Sequence, residues 1–179
     1  MDDPDGPEAP AQAICLRQLG HGPRTRAQLA TALRRRDVPD DIAGRVLDRL
    51  VECGLVDDAA FAAAWVDSRH QGRGLAGAAL ARELRRRGVD DDVVEGALAR
   101  LDPASELETA HALVERRLER TRDLQPRARA RRLLGMLARK GYPPGLAFRV
   151  VREALAAEAA GGTGAGMPDV DGLAEPPDY

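Results

Sequence analysis

The chain has 179 residues, long enough to bury one core or a short array of smaller ones, and carries a formal charge of −2 from 27 Lys and Arg against 29 Asp and Glu. Alanine, leucine and arginine dominate, valine, isoleucine and threonine are sparse, and no stretch alternates apolar and polar with period two, so a β-rich fold is excluded and an all-α one expected. No apolar run is long enough to span a bilayer, the acidic start lacks the basic and apolar regions of a signal peptide, and Cys15 and Cys53 are too few and too far apart for a metal or redox motif, all of which points to a cytoplasmic protein with free thiols, buried or half-buried in amphipathic segments.

Residues 1–10 hold three prolines and four acids and are expected to be disordered. Ile14, Cys15 and Leu19 then recur at helical spacing, and Gly20-His21-Gly22-Pro23 ends that helix. Thr25-Arg26-Ala27-Gln28 is a capping-box pattern that opens a second helix, to about Arg36. A third is predicted from about Asp40 to Cys53, with Gly54 as its stop. Asp57 and Asp58 are good helix starters for a segment carrying Phe61 and Trp65, four apart on one face and expected in the core. Residues 71–74 break that helix. The next helix, with Leu80 and Leu84, runs into Arg85-Arg86-Arg87, Gly88 and Val89; Asp90, Asp91 and Asp92 open its successor, with Val93, Ala97, Leu98 and Leu101. Gly88 stands where a helix C-terminus wants a left-handed residue, with cations in the turn before it. Asp102-Pro103 and the capping-box pattern of residues 105–108 start a long helix striped by Leu107, Ala110, Val114 and Leu118. Pro126 separates it from the helix of Leu133 and Leu137. The last helix is expected to end near Ala157, before a disordered Gly-, Pro- and Asp-rich tail.

One unit occurs three times. Leu29 and Leu33 precede Arg34-Arg35-Arg36, Asp37 and Val38; Leu80 and Leu84 precede Arg85-Arg86-Arg87, Gly88 and Val89; Leu133 and Leu137 precede Arg139-Lys140, Gly141 and Tyr142. Leu33 to Leu84 is a shift of 51 residues and Leu84 to Leu137 one of 53, with leucines, basic turn and breaker all in register. Composition alone does not hold a breaker in register, so the pattern marks a helical repeat array. The expected organisation is an acidic tail (1–10), three-helix repeats at 11–56, 57–101 and 102–157, and a second acidic tail (158–179).

The near-neutral total hides a segregation. Residues 1–10 carry four acids and no base, and residues 157–179 carry five acids and no base, which leaves residues 11–156 at a formal +7. A basic body suits an anionic partner, nucleic acid or an acidic protein surface. Three consecutive arginines are about 100° apart on a helix and cannot all be buried. Residues 111–140 are denser still, with ten cations against three acids, Arg127, Arg129, Arg131 and Arg132 among them. Few aromatics are available to stack bases, which argues against a sequence-specific single-strand reader.

Other candidates lose to simpler readings. Residues 72–77 match GxGxxG, but a helix precedes them and no βαβ unit surrounds them, so they read as a linker. His21, His70 and His111 have no ligand spacing and read as surface or capping residues. The paired and tripled aspartates sit at helix starts. No nucleophile motif, metal site or cofactor motif is present, so the chain is not expected to be an enzyme.

The run Gly54-Leu55-Val56-Asp57-Asp58, then Phe61, Trp65 and Arg69, then Gly72-Arg73-Gly74, then Glu83-Leu84 with Arg85 to Val89, resembles the centre of the RecX family, bacterial regulators of the RecA recombinase. The resemblance spans residues 11–156; where the family has an acidic and a basic residue after the Asp-Asp pair, this chain has Ala59 and Ala60. It implies three tandem three-helix repeats forming an elongated, curved array that binds RecA and lodges in its nucleoprotein filament. It implies restraint of strand exchange, ATP hydrolysis and coprotease activity, and hence modulation of DNA repair and the SOS response. Some members bind DNA, which would here be without sequence specificity. The contact candidates for RecA or nucleic acid are Arg85, Arg86 and Arg87 in the second repeat and Arg127, Arg129, Arg131 and Arg132 in the third. A monomer fits a repeat array best. The alternative is a helix-turn-helix transcription regulator built on residues 25–50, which three equivalent copies do not suit.

Overall fold

The computed structural model of the chain describes residues 6–161. Among the described residues there are nine α-helices and no strand: α1 (Ala9–Leu19), α2 (Arg26–Arg34), α3 (Asp40–Glu52), α4 (Asp58–Arg73), α5 (Gly77–Arg85), α6 (Asp91–Leu98), α7 (Pro103–Leu118), α8 (Pro126–Arg139) and α9 (Pro144–Gly161), with a 3-10 turn at Glu119–Thr121. The protein is all-α, as expected. The expectations for residues 1–5 and 162–179 lie outside the described residues. Two tail boundaries need correction. Helix α1 already begins at Ala9, anchored by Glu8, whose Oε1 accepts from Arg45 Nε at 2.6 Å. Helix α9 continues to Gly161, held by ion pairs of Glu158.

The helices group into two compact units. The first comprises Ala81–Arg100 and the described residues up to Asp67; the second comprises Ser68–Leu80 and the described residues from Leu101 onward. The middle repeat is therefore divided between them. In the first unit Cys15, Leu29, Leu33, Val46, Leu47, Leu50 and Val56 form the core. In the second, Ala110, Val114, Leu133, Leu137, Val150 and Val151 do.

The repeat register is visible in the burial. Leu29, Leu80 and Leu133, and likewise Leu33, Leu84 and Leu137, are all fully buried; each such leucine is worth roughly 1.5–3 kcal/mol. The following helices bury Ala43, Val94 and Ala147, which repeat at the same 51- and 53-residue shifts. Their neighbours Ile42, Val93 and Leu146, which the sequence pattern places on the buried stripe, are half-buried.

The turns repeat as well. Asp37, Gly88 and Gly141 all adopt positive φ, at 56°, 76° and 89°. In each turn the next backbone N–H reaches back to the leucine five residues earlier: Val38 to Leu33, Val89 to Leu84, and Tyr142 to Leu137, at 3.2–3.3 Å. This is the Schellman closure.

The turns are also docking points. In the first unit Thr25 caps α2 through a full capping box with Gln28, and its hydroxyl donates to the Arg87 carbonyl at 2.7 Å. Gly88 lies against Ala27 so closely that a Cβ there would meet the Ala27 methyl at 2.3 Å. In the second unit Ala76 N–H donates to the Lys140 carbonyl at 2.8 Å, and Gly141 lies against Ala79. Thr25 and Ala76 are 51 apart and Arg87 and Lys140 are 53 apart, so the shifts of the sequence repeat also relate these two contacts. Thr25 is fully buried. Thr25→Val, which keeps shape and loses the hydroxyl, is expected to cost about 2 kcal/mol in denaturant titration, while Thr25→Ser retains most of the stability.

Several local expectations change. Phe61 and Trp65 do not build the core; they are half-buried and stacked, with ring centroids 5.7 Å apart. Ala62 and Val66, one residue further on, face inward. Helix α7 is capped by Asp102, which accepts from Ala104 and Ser105 N–H, instead of by Ser105. With 16 residues it is longer than α1, which has 11, and equal to α4. Glu106 instead accepts the Gly77 N–H at 2.9 Å. Cys15 is buried, and that burial pushes its thiol pKa up; Cys53, at the end of α3, is exposed. His70 is a buried clamp and not a surface residue, its Nδ1 2.9 Å from the Leu75 carbonyl and its Nε2 near the Ser105 and Thr109 hydroxyls. The GxGxxG segment is the end of α4, a left-handed Gly74 and the start of α5.

Candidate anion-binding surface

The basic turn after α5 is shaped by its neighbours. Arg85 projects to Asp91 (Nε–Oδ1 2.6 Å), half-exposed. Arg87 lies over the Trp65 ring at 3.6 Å from its centroid and donates to the Glu83 carbonyl. Trp65 Nε1 in turn donates to Glu83 at 2.8 Å. The aromatic pair thus acts as a platform that sets the Arg87 side chain, a cation–π contact worth roughly 0.5–2 kcal/mol. Arg86 is exposed.

The fold of the first unit brings these three to Arg24, Arg35 and Arg36. Together the six arginines line an open groove of about 560 Å³ that has no acidic residue in its wall. Arg24, Arg35, Arg36 and Arg86 make no ion pair with another described residue. The Arg24 Nε is buried without a hydrogen-bond partner. Sequence reasoning placed Arg85, Arg86 and Arg87 among the contact candidates and left out Arg24, Arg35 and Arg36. The available signal was the 51-residue shift that makes residues 34–36 the counterpart of 85–87.

In the second unit the predicted arginines separate by role. Arg127, Arg131 and Arg132 are exposed on α8. Arg129 is not: its side chain is 14 % exposed and is held by Glu158 (2.5 Å), the Thr121 hydroxyl (3.1 Å) and the Leu118 carbonyl (3.1 Å). These bonds tie α8 to the 3-10 turn and to α9. Lys140 caps the end of α4 by donating to the Arg73 carbonyl; burial first, then Arg116 and Arg73, push its pKa down. Tyr142 donates to the Gly74 carbonyl at 3.2 Å, and burial pushes its pKa up to about 12, so it stays a donor at neutral pH.

Among the described residues no group of three or more His, Cys, Asp or Glu is placed to hold a metal, and no helix is long and apolar enough to cross a membrane. Fold and surface together define an all-helical protein of tandem three-helix domains with an arginine-rich groove.

Comparison with known proteins gives the family. Models described as the first, second and third three-helix domains of RecX match residues 11–50, 57–98 and 104–151. Among relatives named Regulatory protein RecX, that of Thermobifida fusca is 61% identical over 155 residues, covering 87% of this chain and 84% of the relative. That of Streptomyces coelicolor is 55% identical over 157 residues, covering 88% and 84%, and that of Mycolicibacterium smegmatis 51% over 160 residues, covering 87% and 85%. The crystal structure of RecX from Lactobacillus salivarius superimposes with a TM-score of 0.77 at 20% identity, over 82% of this chain and 96% of that one, a likeness of fold. The chain belongs to the RecX family.

Proposed function

We propose that this chain is a non-enzymatic regulator of RecA. It binds RecA and its nucleoprotein filament in the cytoplasm, as a monomer and without a cofactor, and restrains strand exchange, ATP hydrolysis and coprotease activity. DNA repair and the SOS response are thereby modulated. The observation that carries this reading is membership of the RecX family across all three domains, at 61% identity over 87% of the chain with a protein named as a regulator. The arginine groove supports it, since a wall of arginines without a carboxylate fits a filament rich in phosphates and acidic side chains. Arg85, Arg86 and Arg87 in the first unit and Arg127, Arg131 and Arg132 in the second supply the contacts, while Arg129 keeps α8 in place.

The test is DNA-dependent ATP hydrolysis by RecA with this protein titrated in. Dose-dependent inhibition is expected. Inhibition well below one copy per RecA indicates capping or blocked growth of filaments, and inhibition only near equivalence indicates occupancy along the groove. Charge reversal of Arg127, Arg131 and Arg132 together should raise the half-inhibiting concentration at least about tenfold, the loss of one or two charge-assisted contacts. No inhibition by a protein that circular dichroism shows to be folded would refute the reading.

A further inference from the structure

We infer that a second groove, between α7 and α9 of the second unit, is a docking site for a basic amphipathic helix of a protein partner. It is separate from the arginines assigned to RecA above.

The two helices meet through Ala110 and Val114 on one side and Val150, Val151 and Leu155 on the other. They run in the same direction: His111 meets Glu153, and further along both, Arg122 meets Glu158. Beside that seam small side chains leave an open groove of about 420 Å³, with Leu118, Ala154 and Ala157 as its apolar strip. Leu118 and Ala154 are half-buried and Ala157 is exposed. The groove lies over the C-terminal halves of both helices, where the helix dipoles are negative.

Glutamates border the strip. Glu158 is neutralised by Arg122 and Arg129, and Glu153 faces His111 at 3.4 Å. Glu115 and Glu119 are exposed and pair with no described residue. Arg122 is the one arginine in the wall, and Glu158 already holds it.

This chemistry selects the occupant. A carboxylate border repels phosphates, so nucleic acid is excluded. The carboxylates are strung along the groove instead of converging, and no group of three or more His, Cys, Asp or Glu among the described residues is placed to hold a metal. A row of acids beside an apolar strip matches a row of cations beside an aliphatic stripe. Glu115 and Glu119 are four positions apart, about 6 Å along a helix axis. Lysines at i and i+4 of a helix lying alongside have that same spacing, and its aliphatic residues then cover Leu118 and Ala154 as anchors in a groove. Residues 162–179 of the chain itself carry four acids and no base, the wrong charge to fill it.

The experiment adds a fluorescein-labelled synthetic helix of leucine and lysine, with lysines at i and i+4, to the full chain and follows anisotropy. A companion peptide has glutamate for every lysine. Glu115→Lys/Glu119→Lys is compared with Glu52→Lys/Glu95→Lys, exposed acids of the first unit that change the net charge equally. The groove pair, its helicity checked by circular dichroism, should weaken binding at least about tenfold, the loss of two charge pairs beside an apolar contact. The control pair should stay within about twofold. Ala157→Arg, which lays a long cationic side chain into the groove from an exposed position, should act like the groove pair. Amide shifts on peptide addition should cluster at residues 111–122 and 153–158. Equal weakening by both pairs, equal binding of the glutamate peptide, or no binding by the parent would overturn the assignment. So would self-association of the chain that the groove pair abolishes in sedimentation, since the occupant is then a second copy. RecA is absent from every arm, so failure here leaves the recombinase reading standing.

Discussion

Replacing Gly141 with alanine should destabilise the protein by at least about 3 kcal/mol, combining strain at a left-handed position with overpacking. Its φ is +89°, and a Cβ there would stand 2.3 Å from the Ala79 backbone nitrogen and 3.0 Å from the Ala79 Cα. Backbone cannot swing aside as a flexible side chain can. The turn between α8 and α9 would have to move off the start of α5, breaking the Ala76–Lys140 bond of 2.8 Å and the Tyr142–Gly74 bond of 3.2 Å. The comparison variant is Gly54→Ala, at φ +69° with nothing within 4 Å of the added methyl, which should cost only about 1 kcal/mol of backbone strain. Denaturant midpoints of the two variants decide the matter; equal losses would show that the close approach to Ala79 contributes nothing.

Arg129→Ala should cost about 2–3 kcal/mol, the usual worth of charge-assisted hydrogen bonds in a partly buried site, whereas Arg127→Ala and Arg131→Ala should stay within about 0.5 kcal/mol of the parent. Arg129 touches Glu158, Thr121 and Leu118, while the other two are exposed. A pH signature accompanies the loss. The hydrogen bond from Arg129, and secondarily that from Arg122, hold the Glu158 carboxyl below the usual carboxylate range. A depressed folded-state pKa means that the unfolded chain takes up this proton first as pH falls. The stabilisation by Glu158 is therefore complete above the unfolded value and is lost as pH drops through the folded one. Arg129→Ala should flatten this part of the acid limb of a stability–pH curve. If the variant is as stable as Arg127→Ala at pH 7, Arg129 is free to serve as a contact residue instead.

Helical class, the number of repeats and the left-handed turns were legible in the chain because they are local. The leucine pairs at positions 29 and 33, 80 and 84, and 133 and 137 keep helical spacing, and the Schellman turns need only a suitable residue at 37, 88 and 141. Which face of a helix is innermost was less legible. Ala43, Ala62 and Ala147 face the interior, while the bulkier Phe61 and Trp65 stack half-buried beside them, with Arg87 over the Trp65 ring.

The sequence by itself determined the repeat, its basic turns and the family, since each is written in residues a few positions apart. Only the tertiary structure decided what each arginine does. Arginines that look alike along the chain differ in the company they keep: Arg129 is drawn inward by Glu158, Arg85 is paired with Asp91, and Arg24, Arg35, Arg36 and Arg86 meet around one groove with no acid in its wall. A charge is compensated or available according to neighbours that can come from far along the chain, as Glu158 does for Arg129 and Glu8, 37 residues away, does for Arg45. No local pattern records those distances, because they are fixed by how buried leucines and close-packed glycines bring the helices together.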